Sequence, residues 1–444
     1  MHTPSPTPDP HALPFERVFP IIVLTFVDVL GLTVILPLLH LYAAAYHATP
    51  LQIGLVAAAF PLAQLIGVPV MGALSDRFGR KPLLLISQVS TFASFLMLAG
   101  AASLEMVILS RVIDGLFGAN YATAQAAITD LTDDRTRAQG LGLTGAAFGV
   151  GFLFGPAIAL FSLEISDSLA TPALVAAAYS AISIALTLFT FKETLPPARR
   201  ASAIRIAPLL FTGVRVLRRG ALRPLVAVLF MQQVVFFAFE SLFGLFLLSR
   251  IGLLGQGAAV MFLYVGLVLV YTQGRLIGKW SRQHGEAATA RRALALLALG
   301  LLLLSFTPDA PQPFYIARVV ENELRGLAPT AAETVIGTIP LPLPTEANRG
   351  IGGIAWLLAA LIPLSMGAGL IRPALNTLIT RRAADQDRGA VLGVSASFVS
   401  LADAIAPLIG GLLFQSIGPS APFWIGGGVM VLVFLFSRRF LRDS

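Results

Sequence analysis

The chain of 444 residues has no cysteine and little charge. Without cysteine there are no disulfides, no thiolate metal ligands and no thiol nucleophile. The five histidines are scattered, with no HExxH or paired spacing, so neither a metal nor another cofactor is expected. No Ser-His-Asp set stands out, and an enzyme is not expected. A GxxxxGK[ST] phosphate loop is missing too, which removes nucleotide-driven transport. Lys, Arg, Asp and Glu make up only 12% of the chain, about half the roughly 25% of a soluble domain. What fills the space is apolar: 56% of all residues.

Those residues come in runs long enough to cross a bilayer, which takes about 20 apiece. They lie at about 18–42, 52–74, 82–102, 105–128, 138–163, 171–192, 224–248, 257–278, 290–307, 351–373, 390–414 and 421–438, and predict an all-α membrane protein of twelve transmembrane helices. The first run is longer than the apolar core of a signal peptide and lacks a basic flank, so it reads as a retained helix. Ahead of it, residues 1–15 are proline-rich and predict a disordered tail.

The net charge of +8 invites a nucleic-acid reading until the positions are mapped. With the N-terminus inside, the outer segments hold only Arg250, Arg318, Arg325 and Arg349; Arg111 and Arg372 lie within spans, and every other Lys and Arg is on the inner side. The bias predicts cytoplasmic N- and C-termini in the cell inner (plasma) membrane, with the lipid bilayer as surroundings and no nucleic acid. The longest inner segment, 193–223, is rich in arginine and divides the chain into 16–192 and 224–440. It serves as orientation signal and tether, or binds anionic lipid at about 1 kcal/mol per cation; the sequence leaves both open.

Landmarks recur between the halves. Gly72 and Arg80 bracket the loop after span two, and Gly274 and Arg282 repeat that spacing after span eight. Arg137, Gly142 and Pro156 of span five return as Arg388, Gly393 and Pro407 of span eleven. The offset grows between the two sets, placing an insertion in 308–350, on the outer side, with a short amphipathic helix expected over 313–327. It is either a tolerated surface insertion or a cap over an outer vestibule.

The loop after span two reads Gly72-Ala-Leu-Ser-Asp76-Arg77-Phe-Gly79-Arg80-Lys81-Pro82. Gly72 suits close helix approach, Gly79 a tight turn and Pro82 a helix start. Asp76, an acid among cations, needs a partner, and a helix N-terminus offers about 0.3–1 kcal/mol. This stretch resembles the signature loop of the major facilitator superfamily. Arg111, Gly115 and Ala119 resemble that family's RxxxGxxxA in helix 4, and Gly151, Gly155 and Pro156 its helix 5 antiporter motif. The chain looks most like the twelve-helix drug/proton antiporter (tetracycline efflux-like) branch. The resemblance implies two pseudo-symmetric six-helix bundles, Asp76 facing the N-terminus of helix 11, and Arg80 paired with Asp130, the two contacts together forming an inner latch of the outward-open state. It also implies a monomer that exchanges a small-molecule substrate for protons.

Charges inside a membrane cost at least ~2.5–3.5 kcal/mol and need partners or a wet cavity. The resemblance lines the central cavity with helices 1, 4, 7 and 10, which hold Asp28, Arg111, Asp114, Glu240 and Arg372; Asp403 lies on helix 11 as a helix-to-helix partner. Gln233 shares a helix face with Glu240, and Asn376 follows Arg372 by one turn. Depth matching permits an Asp28–Arg111 pair, and spacing permits an Arg111–Asp114 pair; coupling and simple neutralisation both fit. The favoured expectation is proton-coupled efflux of a small organic compound. Uptake of a polar metabolite by a symporter or facilitator, and a non-transporting receptor, are the alternatives.

Overall fold

The computed structural model describes residues 14–133, 136–166, 168–200, 222–326, 341–382 and 388–441, and within them the regular structure is helical. Much of the expected tail, linker and insertion (1–13, 201–221 and 327–340) lies outside the described residues. Helix α1 (Phe15–Ile35) passes through a 3-10 turn containing Pro37 into the short α2 (Leu39–Ala44). Pro37 has no N–H to continue the ladder, which is why the chain tightens there. Helix α3 (Pro50–Phe78) opens on a capping box: Thr49 Oγ1 accepts from Gln52 N at 3.4 Å, and Gln52 Oε1 from Thr49 N at 2.8 Å. Gly79, at φ 107°, turns the chain into α4 (Arg80–Ala99).

The fourth apolar run is not continuous. It forms α5 (Leu104–Phe117) and α6 (Asn120–Leu131), separated at Gly118 and Ala119. Helix α4 holds the break together, because Ala119 N donates to Ser87 Oγ at 2.6 Å, and α3 contributes Gln64, whose Nε2 donates to Gly118 O at 3.3 Å. Helices α7 (Arg137–Ile165) and α8 (Ala170–Phe189) complete the first half. The second half holds α9 (Arg223–Ile251), α10 (Gly255–Tyr271), α11 (Ile277–Ser305), α12 (Ala317–Gly326), α13 (Gly352–Arg382), α14 (Arg388–Ser416) and α15 (Ala421–Phe440). A π-turn, Thr272–Leu276, joins α10 to α11, and α11 breaks at Gly285, φ 77°.

Among the described residues, ten helical runs are long and apolar enough to cross a membrane. One is the 51-residue stretch Gly255–Ser305, which contains the Gly285 break; α5 and α6 are too short to be counted. The repeat landmarks fare unequally. Helices α7 and α14 are both 29 residues long and start at Arg137 and Arg388, as the second set requires. Gly274 and Arg282, however, do not bracket a loop: Gly274 sits in the π-turn, Arg282 in α11, and the chain turns at Gly285 instead. A helical ladder persists through the polar residues there, and only the glycine with positive φ ends it.

Helix α1 lies on α7 and α8, α3 on α5, and α4 on α8; farther along, α11 packs on α13 and α15, and α9 on α14. The halves meet where α3 runs along α14 and α7 along α10. Lipid is as apolar as these side chains, so small residues that admit close packing decide which helices touch. At the end away from the Gly72–Pro82 loop the seam is tight: a Cβ on Gly411 would come 2.7 Å from Pro50 O, and Leu51 N donates to Gln415 Oε1 at 3.2 Å. Toward the loop end a Cβ on Gly72, Gly142, Gly145 or Gly274 would meet nothing within 4 Å. The seam is therefore shut at the far end, and at the loop end these glycines make no such close contact. The close approach expected at Gly72 is not made here. Around the outside, Ile66, Phe161, Phe189 and Leu432 are exposed, as lipid-facing side chains are.

The insertion is docked at the far end. Gln312 N donates to Ile251 O at 3.0 Å, Ala317 N to Glu346 Oε1 at 2.8 Å, and the fully buried Tyr315 lies directly against Gly252. Gly252 is in the left-handed conformation that closes α9, and only a residue without a Cβ leaves room for the ring. The amphipathic helix expected over 313–327 begins later, at Ala317.

Candidate functional site

A cleft of about 550 Å³ opens among α1, α3, α4, α5, α6 and α7, with Asp28, Asp114, Thr91 and Asn120 as polar lining and Phe60, Phe95, Tyr121 and Phe148 as aromatic walls. Asp28 reaches it because α1 is pressed onto α7. A Cβ on Gly151 would lie 2.8 Å from Val29 Cγ1, and one on Gly155 would overlap Thr33; Thr33 Oγ1 donates to Gly151 O at 3.0 Å. Pro156 continues the same face of α7 inside an unbroken helix. The helix 5 motif thus sets the position of the helix that carries Asp28.

Asp28 is half-buried, lies against Ser183 and Gln88, and has an Oδ2 without a hydrogen-bond partner. Gln88 Nε2 donates to Ser183 Oγ at 2.8 Å, so α4 and α8 together make this polar seat. Arg111 and Asp114 are both fully enclosed. Arg111 Nη1 stands 3.5 Å from Asp114 Oδ2, Arg111 Nη2 donates to Ser94 Oγ at 3.0 Å, and Thr91 Oγ1 donates to Asp114 Oδ1 at 2.8 Å. The arginine also sits over the Phe95 ring, 5.5 Å from its centroid. Of the two pairings the sequence allowed, the Arg111–Asp114 pair is the one formed.

The remaining cavity candidates are not gathered into the same cleft. Gln233 is buried on α9 and its Nε2 donates to Asp403 Oδ1 at 2.7 Å, joining α9 to α14. Glu240 lines a separate cavity with His40 and Ser241. Arg372, exposed on α13, lies within electrostatic reach of Glu240, Asp403 and, across the seam, Tyr121. Asn376, one turn along α13, is half-buried.

The loop residues form a network of their own. Arg80 Nε donates to Asp130 Oδ2 at 2.8 Å, and its Nη1 to Asp76 Oδ1 at 2.6 Å and to Ser75 Oγ at 3.1 Å. Burial works against the Arg80 charge, but the two carboxylates outweigh it and raise its pKa further. Asp76 is therefore engaged with Arg80, its neighbour one turn on, while Arg77 lies over Phe78. The first side chains of α14, which Asp76 was expected to face, lie outside the described residues.

Sequence reasoning missed Glu193 and Lys81. Glu193 Oε1 accepts from Arg80 N at 2.9 Å and Oε2 from Lys81 N at 3.1 Å, capping α4 in place of Gly79, which has no side chain. Burial pushes its carboxyl up, but the backbone N–H groups of Leu195, Arg80, Lys81 and Thr194 outweigh that and hold it below the usual range. Lys81 Nζ answers by donating to Leu188 O and Phe191 O at the end of α8. A carboxylate four residues past a helix carries no spacing signal that links it to a loop 113 residues earlier. The aromatic walls were missed for a similar reason: phenylalanine is so frequent here, 30 residues, that composition cannot distinguish cavity from packing.

A family model described as Major Facilitator Superfamily matches residues 21–321 and 325–444. Tetracycline resistance protein, class B, of Escherichia coli is 25% identical over 433 residues, covering 95% of this chain and 94% of that protein. Multidrug resistance protein 1 of Bacillus subtilis (strain 168) is 26% identical over 404 residues, 90% of each. Among solved structures, the human organic anion transporter MFSD10 (TETRAN) superposes with a TM-score of 0.65 at 22% identity, covering 95% of this chain and 99% of that one. The nucleoside transporter NupG superposes with a TM-score of 0.71 at 12% identity, covering 96% and 100%.

Proposed function

The chain belongs to the Major Facilitator Superfamily, a multi-pass membrane transporter and not an enzyme, and from that premise we propose that it couples proton entry to efflux of a small organic compound by alternating access. Counting α5 with α6 as one crossing, and dividing the 51-residue run at Gly285, turns the ten helical runs into twelve crossings. The two seam contacts support a pseudo-twofold arrangement of six and six, because the repeat exchanges α3 with α10 and α7 with α14, and so exchanges one contact with the other. With cytoplasmic termini in the inner membrane, the loop end faces the cytoplasm, and this conformation is inward-open.

The observation that carries the reading is Asp28: a membrane carboxylate on a cavity wall, half-buried, with one oxygen unsatisfied. Such a group binds a proton when its surroundings dry and yields it when they wet. The buried Arg111–Asp114 pair beside it supplies a fixed dipole, and the aromatic walls supply a surface for a ring-bearing substrate. The Arg80–Asp130–Asp76 network, already bonded within the first half, is that half's part of the inner latch, which closes when Asp76 meets the start of α14. The efflux direction draws on the resistance proteins among its relatives.

A second reading of the cargo, an organic anion, rests on Arg372, a cation exposed toward Tyr121 across the seam. Everted vesicles under an imposed proton gradient, tested with a panel of cationic, neutral and anionic aromatic compounds, decide. Gradient-dependent accumulation of cationic or neutral compounds supports the main reading, and accumulation of anions alone selects the second. Gradient-driven uptake into right-side-out vesicles or cells overturns efflux in favour of the symport alternative, and absence of any flux favours a receptor.

A further inference from the structure

His40 is unused by the mechanism above, yet its position is specific. It lies on α2, in the first half of the chain, and its ring packs straight onto the backbone of α9 at Gly244, so that any Cβ there would overlap the imidazole. Its side chain is 4% exposed. One ring nitrogen bonds the carbonyl of Pro37, and the other, Nε2, is buried with no partner. A carbonyl only accepts, so the nitrogen facing Pro37 carries the hydrogen, and Nε2 is left with a bare lone pair.

His40 lines a small cavity together with Glu240, Ser241 and Phe237 of α9 and Ile53 and Ala57 of α3. Glu240 precedes Gly244 by one helical turn and so lies on the face of α9 that meets the histidine. The charged groups acting on Glu240 are Asp403 of α14 and Arg372 of α13, and Asp403 already accepts from Gln233 at 2.7 Å; Glu240 and His40 share the cavity without a direct hydrogen bond in this structure. Ser241 directs its hydroxyl to Phe237 O at 2.7 Å.

We propose that His40 and Glu240 form a second proton site, one proton held between Nε2 and the carboxylate, which keeps the far end of the seam shut. It rests on the alternating-access reading above. When Glu240 carries the proton, its O–H points to Nε2; transfer breaks that O–H bond and forms Nε2–H, leaving imidazolium against carboxylate. The pair is neutral in sum either way, and either form ties α2 to α9. Once the proton leaves to water, a carboxylate confronts a lone pair inside a closed joint, and both are satisfied only if the halves part and water enters. The far end then has its own proton lock, separate from Asp28.

The absence of native cysteine makes the test direct. Spin labels at Leu51→Cys and Ile417→Cys, both exposed at the far end of the seam, report its opening as a distance distribution in lipid nanodiscs. The expected result is a short distance at low pH that lengthens as pH rises. His40→Gln and Glu240→Gln, each of which replaces the titratable partner with a fixed amide, should hold one distribution at all pH values. Asp403→Asn should keep the pH response. Glu240→Gln alone decides if His40→Gln does not fold. A parental protein whose distance ignores pH, or glutamine variants that follow pH as the parent does, would overturn the proposal. Flux in proteoliposomes is read separately. Flux with an unaltered pH response in the variants sinks the lock and spares the transport reading. A lock without flux does the reverse.

Discussion

Arg111 turns to Asp114, 3.5 Å away on its own helix, and not to Asp28. Of the two carboxylates that the first half carries inside the membrane, one is therefore neutralised and one is left without a cation. This arrangement separates a structural charge from a working one, and mutation should separate them too.

Asp28→Asn removes the group that exchanges protons without uncovering a buried charge. Normal abundance, loss of proton-driven accumulation and retention of downhill exchange are expected. Arg111→Ala instead leaves Asp114 buried and unpaired, at a cost of about 3–5 kcal/mol, and should lower abundance as well as transport. Substrate-induced proton movement in reconstituted liposomes is the deciding measurement. Parental stoichiometry in Asp28→Asn would exclude it as the carrier.

Gly155 is the point at which α7 touches Thr33 of α1. Gly155→Val should overpack this contact by about 1–3 kcal/mol and displace Asp28 from its seat. Both the melting temperature and transport should fall. Gly428→Val, at a glycine whose Cβ would meet nothing within 4 Å, is the comparison that should leave packing unchanged. Equal effects at both sites would refute the close-contact account.

Asp76 is half exposed and bonded to Arg80, an arrangement worth about 0–1 kcal/mol at a surface. Asp76→Asn should leave abundance near normal and still reduce transport strongly, because the carboxylate favours one conformer over another. Transport at the parental rate would remove Asp76 from the latch.

Glu193 holds the start of α4, and its folded pKa lies below its unfolded value. Its contribution is therefore present above the ordinary glutamate range and is lost as pH falls through the depressed folded value. Glu193→Gln should cost about 1 kcal/mol at neutral pH, comparable to losing a helix N-cap, and the difference from the parent should shrink on acidification. Melting curves at several pH values test this; a constant difference would show that the charge is irrelevant.

Much of this architecture was legible because the bilayer forces long apolar runs. The turn at Gly79, the 29-residue span beginning at Arg137 and its partner beginning at Arg388 all fall where the residues indicated. The break at Gly118 was hidden, since a lone glycine in an apolar run is common in membrane helices and only Ser87 and Gln64, from other helices, make it a break. The choice between two partners for Arg111 was equally out of reach, because helical depth says nothing about the direction in which a side chain turns. His40 had no neighbour in sequence to mark it; Gly244 gives it a seat only after α2 and α9 meet.

The tight far end also sets a scale for movement. Helices α3 and α14 are each 29 residues long, or ~43 Å at 1.5 Å per residue. Pivoting at the Gly54 and Gly411 contact leaves ~36 Å of α3 beyond the joint, and a tilt of ~10° shifts its opposite tip by ~6 Å. The angular change needed to admit a molecule the width of an aromatic ring is thus small, so the pivot itself need hardly deform. Two residues without side chains suit such a joint, because backbone rolling on backbone has no interlocked rotamers to undo.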